Sequence, residues 1–319
     1  MGWIRAWFPV SLAIDCWVLT IRGKYHKGFF QVKQIYCPSN PIRQRFGWFP
    51  VLLGALLFCL LGAGAEPSEA DEKLYKIVGP EEKQGAHQEV ALSLQELESM
   101  GVVETSSAYF DRAMHYQNSR FWALPLAKMV DRYDPEGKSD ALLLNCFDDY
   151  QGILSVADIL RYDLGLATRI ELGANSKPPD WLRPLLILVP DGSAAPFQER
   201  FLTANIRELQ FVRLEDYYAP LRRLAGASPK SRQGFKIFTD NCLYCHSLKN
   251  RGGNKGGDLT QSFDFSQTAD LKKFSSAFLS FHHKDNADKQ NLEQFVSSQG
   301  LQKIMTFLAG LGRANTHPD

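Results

Sequence analysis

The pentapeptide Cys242-Leu243-Tyr244-Cys245-His246 constrains this chain more than any other stretch of it. Two thiols and an imidazole at that spacing are what covalent attachment of a c-type haem requires. Each cysteine adds across one haem vinyl group, and the adjacent histidine ligates the iron from the proximal side. The region around the motif is therefore expected to be built about one porphyrin. With six Cys and seven His in 319 residues, a chance match is expected well below about once in a hundred such chains. A zinc site would need a second ligand pair, and the later candidates His282 and His283 are adjacent, without the His-x3–5-His separation that lets two rings meet one metal. A thioredoxin-like redox pair lacks its context, because Phe235 to Asp240 read as helix and no strand leads into the motif.

Composition agrees with a folded, non-nucleic-acid-binding protein. The chain is 45% hydrophobic and 22% charged, with a net charge of +1, which suits about two globular domains and offers no basic surface. Cys16, Cys37 and Cys59 fall in the first 65 residues, Cys146 stands alone, and no disulfide network is implied. From Arg43 to Ala65 two basic residues precede the apolar run Trp48–Leu61 and then Ala63-Gly64-Ala65. That order is a secretory signal, and its apolar run is shorter than the ~20 residues a spanning helix needs. Residues 1–65 are accordingly read as an N-terminal extension and signal, with the mature chain beginning near Glu66 in the periplasm or outside the cell. Membrane contact is expected only if this signal stays uncleaved. A second hydrophobic segment, Trp7–Leu19, is interrupted by Asp15, which makes insertion costly.

Past a linker at Leu224–Lys230, residues 228–319 read as a small helical domain. Ser231 is expected to cap a helix carrying Gly234, Phe235 and Phe238, and Leu301, Ile304, Met305, Leu308 and Leu311 mark a closing helix bounded by Gly300 and Gly312. Gly234 would let the two helices cross closely, with Phe238 and Phe307 at the contact. On Gly234-x3-Phe238, the Cys-x-x-Cys-His motif, the Gly-rich loop Arg251–Leu259 and Ile304–Leu308, this region resembles a class I cytochrome c. The resemblance implies a few helices around a single covalent haem c, held by Cys242 and Cys245, with His246 as proximal iron ligand. In that family a proline carbonyl of the loop accepts the hydrogen bond from the proximal imidazole; here the position is Gly257, and a backbone carbonyl can still serve. The family's methionine ligand also has no counterpart, because the corresponding stretch reads Leu292-Glu-Gln-Phe295. Three outcomes stay open for the sixth ligand: His282 or His283 reaching in from a polar loop, Met305 from the closing helix, or no protein ligand.

Residues 70–224 read as a β-rich domain with short helices. Strands are expected at Leu142–Cys146, Leu185–Val189 and Ile206–Val212, and helices at Leu124–Val130 and Val156–Leu160. The phrases Phe121–Leu126, Ala141–Tyr150, Ile153–Asp158 and Arg183–Pro190 resemble the sulfite-oxidase-type, molybdopterin-binding fold in a divergent form. The fold class is thus α+β, a β-rich domain followed by an all-α one. That family's molybdenum-ligating cysteine would precede the Phe121–Leu126 phrase, and Gly101–Arg120 holds none, so molybdopterin is not expected. Cys146 reads as a packed strand residue, His115, Arg112 and Arg120 as surface groups or the lining of a vestigial pocket, and Asp148-Asp149 as a solvated turn.

Together these features point to an exported carrier of single electrons working with a redox partner protein, more an electron-transfer protein than a stand-alone enzyme. The alternatives are a sulfite-dehydrogenase-like oxidoreductase with a cofactor in the first domain, and a haem-based sensor.

Overall fold

A computed structural model of the chain describes residues 17–25, 28–36, 74–82, 85–173, 177–288 and 294–316. The segment 43–65, expected from the sequence to be an export signal, the cysteines at 16, 37 and 59, and Leu292 lie outside the described residues. Residues 1–68 and 69–319 form two units. In the first, β1 (Trp17–Tyr25) and β2 (Gly28–Tyr36) make an antiparallel hairpin with Trp17 opposite Tyr36.

The second unit is mixed α+β. It runs through β3 (Tyr75–Glu81), β4 (His87–Leu92), α1 (Leu94–Ser99), β5 (Val103–Ser106), α2 (Ala108–Met114), β6 (Arg120–Pro125), α3 (Leu126–Tyr133), β7 (Ala141–Cys146), β8 (Gln151–Ser155), α4 (Val156–Arg161), β9 (Gly165–Glu171), β10 (Leu186–Leu188) and β11 (Ile206–Val212). Two sheets result, one of order β4-β3-β11-β7-β8 and one of order β10-β9-β6-β5. Within them only β3 and β11 pair in parallel.

Period-two alternation explains how the smaller sheet is buried on both faces. Along 185–189, Leu185, Ile187 and Val189 join the main core with Ile77, Leu142, Leu144 and Phe211, whereas Leu186 and Leu188 join a second core with Phe110, Phe121 and Ala167. Short helices cover the sheets, started by side-chain caps such as Ser93, whose hydroxyl accepts from Glu96 N–H while the Glu96 carboxylate accepts from Ser93 N–H. The helix expected from Leu124 begins instead at Leu126. Leu124 and Pro125 complete β6 by pairing with Leu166 and Gly165, and helical periodicity starts only with Leu126, Met129 and Val130.

The chain then turns helical: α5 (Leu214–Ala225), α6 (Pro229–Asn241), α7 (Leu259–Ser262), α8 (Thr268–Phe281), α9 (His283–Asp288) and α10 (Ser298–Thr316), with a two-residue ribbon of β12 (Ser247–Leu248) and β13 (Arg251–Gly252) between α6 and α7. Their core, built on Leu221, Phe238, Leu248, Phe274, Ile304, Phe307 and Leu308, is separate from the two cores of the sheets. Three sequence expectations are corrected here. The linker is shorter than Leu224–Lys230, because α5 continues to Ala225. Ser228, not Ser231, caps α6, since Pro229 pre-sets the first helical turn and puts Ser231 inside the helix, where it is buried. The closing helix α10 also passes through Gly300 and Gly312 rather than stopping at them. Each glycine costs about 1 kcal/mol against alanine, which the buried stripe Leu301, Ile304, Phe307, Leu308 and Leu311 outweighs.

The crossing of α6 and α10 is close. A Cβ on Gly234 would collide with the backbone carbonyl of Lys303, and beside it the rings of Phe238 and Phe307 lie 5.5 Å apart. Gly234→Ala is therefore expected to force the helices apart and destabilise the protein by about 1–3 kcal/mol. Chemical denaturation followed by circular dichroism checks this, and an unchanged midpoint would contradict the close crossing.

Candidate functional site

The Cys-x-x-Cys-His motif begins where α6 ends. Cys242 caps the helix, its N–H donating to the Phe238 carbonyl at 2.8 Å. The chain then coils once more, with Cys245 N–H and His246 N–H both donating to the Cys242 carbonyl at 3.3 and 2.9 Å. This turn brings Cys242, Cys245 and His246 to the wall of one cavity of about 330 Å3.

Backbone fixes the His246 ring. Its Nδ1 lies 3.2 Å from the Gly257 carbonyl, so Nδ1–H donates there and Nε2 keeps its lone pair for a metal. The ring also lies against Gly256, where a Cβ would come within 2.5 Å of Cε1 and 2.8 Å of Nδ1, so only glycine fits. Burial pushes the His246 pKa below the ordinary histidine value, with the Gly257 carbonyl acting in the opposite sense. The imidazole is therefore neutral near pH 7, the form that binds metal.

The opposite wall comes from α8, which presents Phe274, Ala277, Phe278 and Phe281 at helical spacing, joined by Leu259, Phe263 and Val296. His282 caps the C-terminus of this helix, half-buried, and also lines the cavity. The ring centroids of His246 and His282 are 6.1 Å apart, with planes crossed at 83°. A metal–imidazole bond of about 2 Å on each side, plus about 1 Å from nitrogen to ring centre, gives a separation of about 6 Å for two rings sharing one ion. His283 opens α9, is exposed and is not part of the lining. Met305 packs partly buried against the helical core, away from the cavity lining. The two histidines thus sit at a junction between helices and not in the polar loop expected for them.

Two lining features escaped the sequence reading. The stripe Phe274, Phe278, Phe281 was the available signal for α8. Asn241 had no signal: its Nδ2 donates to the Ile237 carbonyl at 2.9 Å, and its Oδ1 is buried at the cavity wall with no hydrogen-bond partner among the described residues. Among the described residues, no three His, Cys, Asp or Glu side chains gather so as to hold a bare metal ion.

The remaining candidates lie elsewhere. Arg112, His115 and Arg120 are all exposed, the first over the Phe197 ring and the last paired with Glu104 and Glu171. Asp148 and Asp149 are not a simple solvated turn. The Asp148 carboxylate pairs with Lys255 at 2.7 Å, and the Asp149 carbonyl accepts from the backbone N–H groups of Asn254 and Lys255 at 2.7 and 3.2 Å. Gln294 is buried and donates to the Asp240 carbonyl at 2.8 Å. Among the described residues no helix is long and apolar enough to cross a membrane.

No family model and no curated protein matches this chain. Among solved structures it is similar to the sulfane dehydrogenase SoxCD from Paracoccus pantotrophus, at 11% identity and a TM-score of 0.31, over 45% of this chain. The match spans 40% of that structure's chain.

Cys146 is buried in β7, and burial, helped by the Asp148 charge, pushes its pKa up to about 12. The thiol is therefore protonated at any pH well below that value. Alkylation of the native protein at pH 8 followed by peptide mapping is expected to leave Cys146 unmodified, with labelling only after denaturation; fast native labelling would contradict its place in the core.

Proposed function

We propose that this chain is an exported c-type cytochrome that carries single electrons. The observation that supports this reading best is that one cavity gathers Cys242, Cys245, His246 and His282, with the two imidazole ring centres 6.1 Å apart. A haem bound there supplies a one-electron couple. In this reading the thiols of Cys242 and Cys245 anchor the group as thioethers. The Gly257 carbonyl holds the His246 ring so that its neutral Nε2 faces the metal. His282 is the second ligand, favoured over His283 by its place in the lining. Paired imidazoles favour the oxidised state more than a His/Met pair does, so the potential lies toward the low end. Phe263, Phe274 and Phe278 give the site an apolar wall, and Asn241 Oδ1 offers an acceptor to a protonated edge group.

Residues 70–224 act in this reading as a scaffold, a divergent sulfite-oxidase-like module that presents the haem region, residues 228–319, to a redox partner protein. Export follows from the segment 43–65, because haem c is attached outside the cytoplasm and the motif needs that compartment.

Expression together with haem-maturation machinery is expected to yield a red protein whose mass exceeds that of the signal-cleaved chain by one haem. The Cys242→Ala/Cys245→Ala variant should lose the covalent group. His282→Ala should convert the reduced protein to a high-spin form that binds carbon monoxide, whereas His283→Ala should leave the low-spin spectrum unchanged. A colourless wild type would overturn the proposal, and an unchanged spectrum in His282→Ala would remove His282 as ligand.

A further inference from the structure

The loop behind His246 is not held by the helical region alone. Between β7 and β8, Asp149 turns with φ 62, and its carbonyl accepts from the N–H groups of Asn254 and Lys255 at 2.7 and 3.2 Å. Next to it Lys255 Nζ meets the Asp148 carboxylate at 2.7 Å. On the other strand of the hairpin, Gln151 N–H donates to the Tyr244 carbonyl at 2.9 Å, inside the Cys-x-x-Cys-His motif. The rings of Tyr150 and Tyr244 stack 5.7 Å apart, tilted by 10°. Tyr217 adds a third tie, its hydroxyl donating to Gln151 Oε1 and accepting from Gly252 N–H.

From this anchor a short run of bonds leads to the imidazole. Gly257 N–H donates to the Asn254 carbonyl at 3.0 Å, and Gly256 N–H donates to the Cys245 carbonyl at 2.7 Å. The Gly257 carbonyl then receives Nδ1–H of His246. Three hydrogen bonds thus link the Asp149 carbonyl to the His246 ring, through Asn254 and Gly257.

We propose that the β7–β8 turn is a positioning element for His246: by pinning Asn254 and Lys255 it holds the Gly257 carbonyl on Nδ1–H and so sets how strongly the imidazole donates to a metal. The proposal rests on the haem reading above. A firm Nδ1–H···O bond raises the basicity of the ring and favours the oxidised metal. Loosening the turn weakens that bond, and the reduction potential rises. Lys255 and Asp148 are positioning residues in this scheme, and Asp149 acts through its backbone, not its carboxylate.

The test uses the full-length matured protein and two pairs of variants. Lys255→Met removes the ion pair and Lys255→Arg keeps it. Asp149→Val places a β-branched residue at a left-handed φ and displaces the carbonyl, whereas Asp149→Gly adopts that φ freely and keeps it. Redox titration is expected to give a higher potential for Lys255→Met and Asp149→Val, and the wild-type value for Lys255→Arg and Asp149→Gly. Amide exchange of peptides covering 249–258 should quicken about two- to fivefold in Lys255→Met, the scale of one partly exposed ion pair, and more in Asp149→Val. General loosening that only admits water to the site would lower the potential, so the sign separates the two. Equal potentials and equal exchange across all variants, or a lowered potential in Lys255→Met, would overturn the proposal. If no variant and no wild-type protein carries haem, the function reading fails, and unchanged exchange in the variants would still remove the pinned turn.

Discussion

The contact of α6 with α10 at Gly234 is the constraint on which the helical region depends. Because the backbone of α10 takes the space a side chain at 234 would fill, the axis of α6 is fixed where it leaves that crossing. Cys242 caps the same helix two turns further on, so the position of both thiols and of the histidine follows from a helix contact that involves none of them. Phe238 and Phe307 lock the rotation about that contact, each fully buried. The cavity is therefore set by packing on one side and by the backbone of a Gly-rich loop on the other.

That loop belongs as much to the sheet region as to the helices. Residues 69–319 form one compact unit although their hydrophobic cores are separate. Polar contacts join them: backbone bonds from Asp149 and Gln151, the Asp148–Lys255 pair, the Glu199 N–H donated to Gln294 Oε1, and beside these a stack of two tyrosines. Burial raises the pKa of Tyr150 well above the ordinary phenol value, and that of Tyr244 likewise, so both remain protonated donors throughout the physiological range. Such a junction is directional in a way that apolar packing is not, and it fixes register between the parts.

Much of the helical region was readable in the chain, and for physical reasons. Period-3-to-4 apolar residues marked α6 and α10, and Gly234 with Phe238 foretold how they cross. Cys-x-x-Cys-His pointed to the wall of the cavity described above, because few chemistries need those three groups so close together. The strand at 141–146 was visible as an apolar run, since both faces of this central strand are buried, and the one at 206–212 as an alternation with Ile206, Leu209 and Phe211 buried. Helix α8 was missed because its one apolar stripe is diluted by Lys272, Lys273, Ser275 and Ser276 on the outer face. The choice between His282 and His283 depends on which of two neighbours falls at a helix cap, and no pattern of residue types encodes that. Nor could the turn at Asp148-Asp149 be read as anything but solvated, because its partners lie about a hundred positions later in the chain.

The parallel pairing of β3 with β11 bears on how the polypeptide matures. β11 is inserted between β3 and β7, so the larger sheet stays split until Ile206–Val212 has been made. In chain order the facing edges of β3 and β7 have no partner between Cys146 and Ile206, and the strand that fills the gap comes just before α5 and the Cys-x-x-Cys-His segment. Every strand of the two sheets, and the β7–β8 turn that holds the Gly-rich loop, therefore lies ahead of the two thiols in the chain.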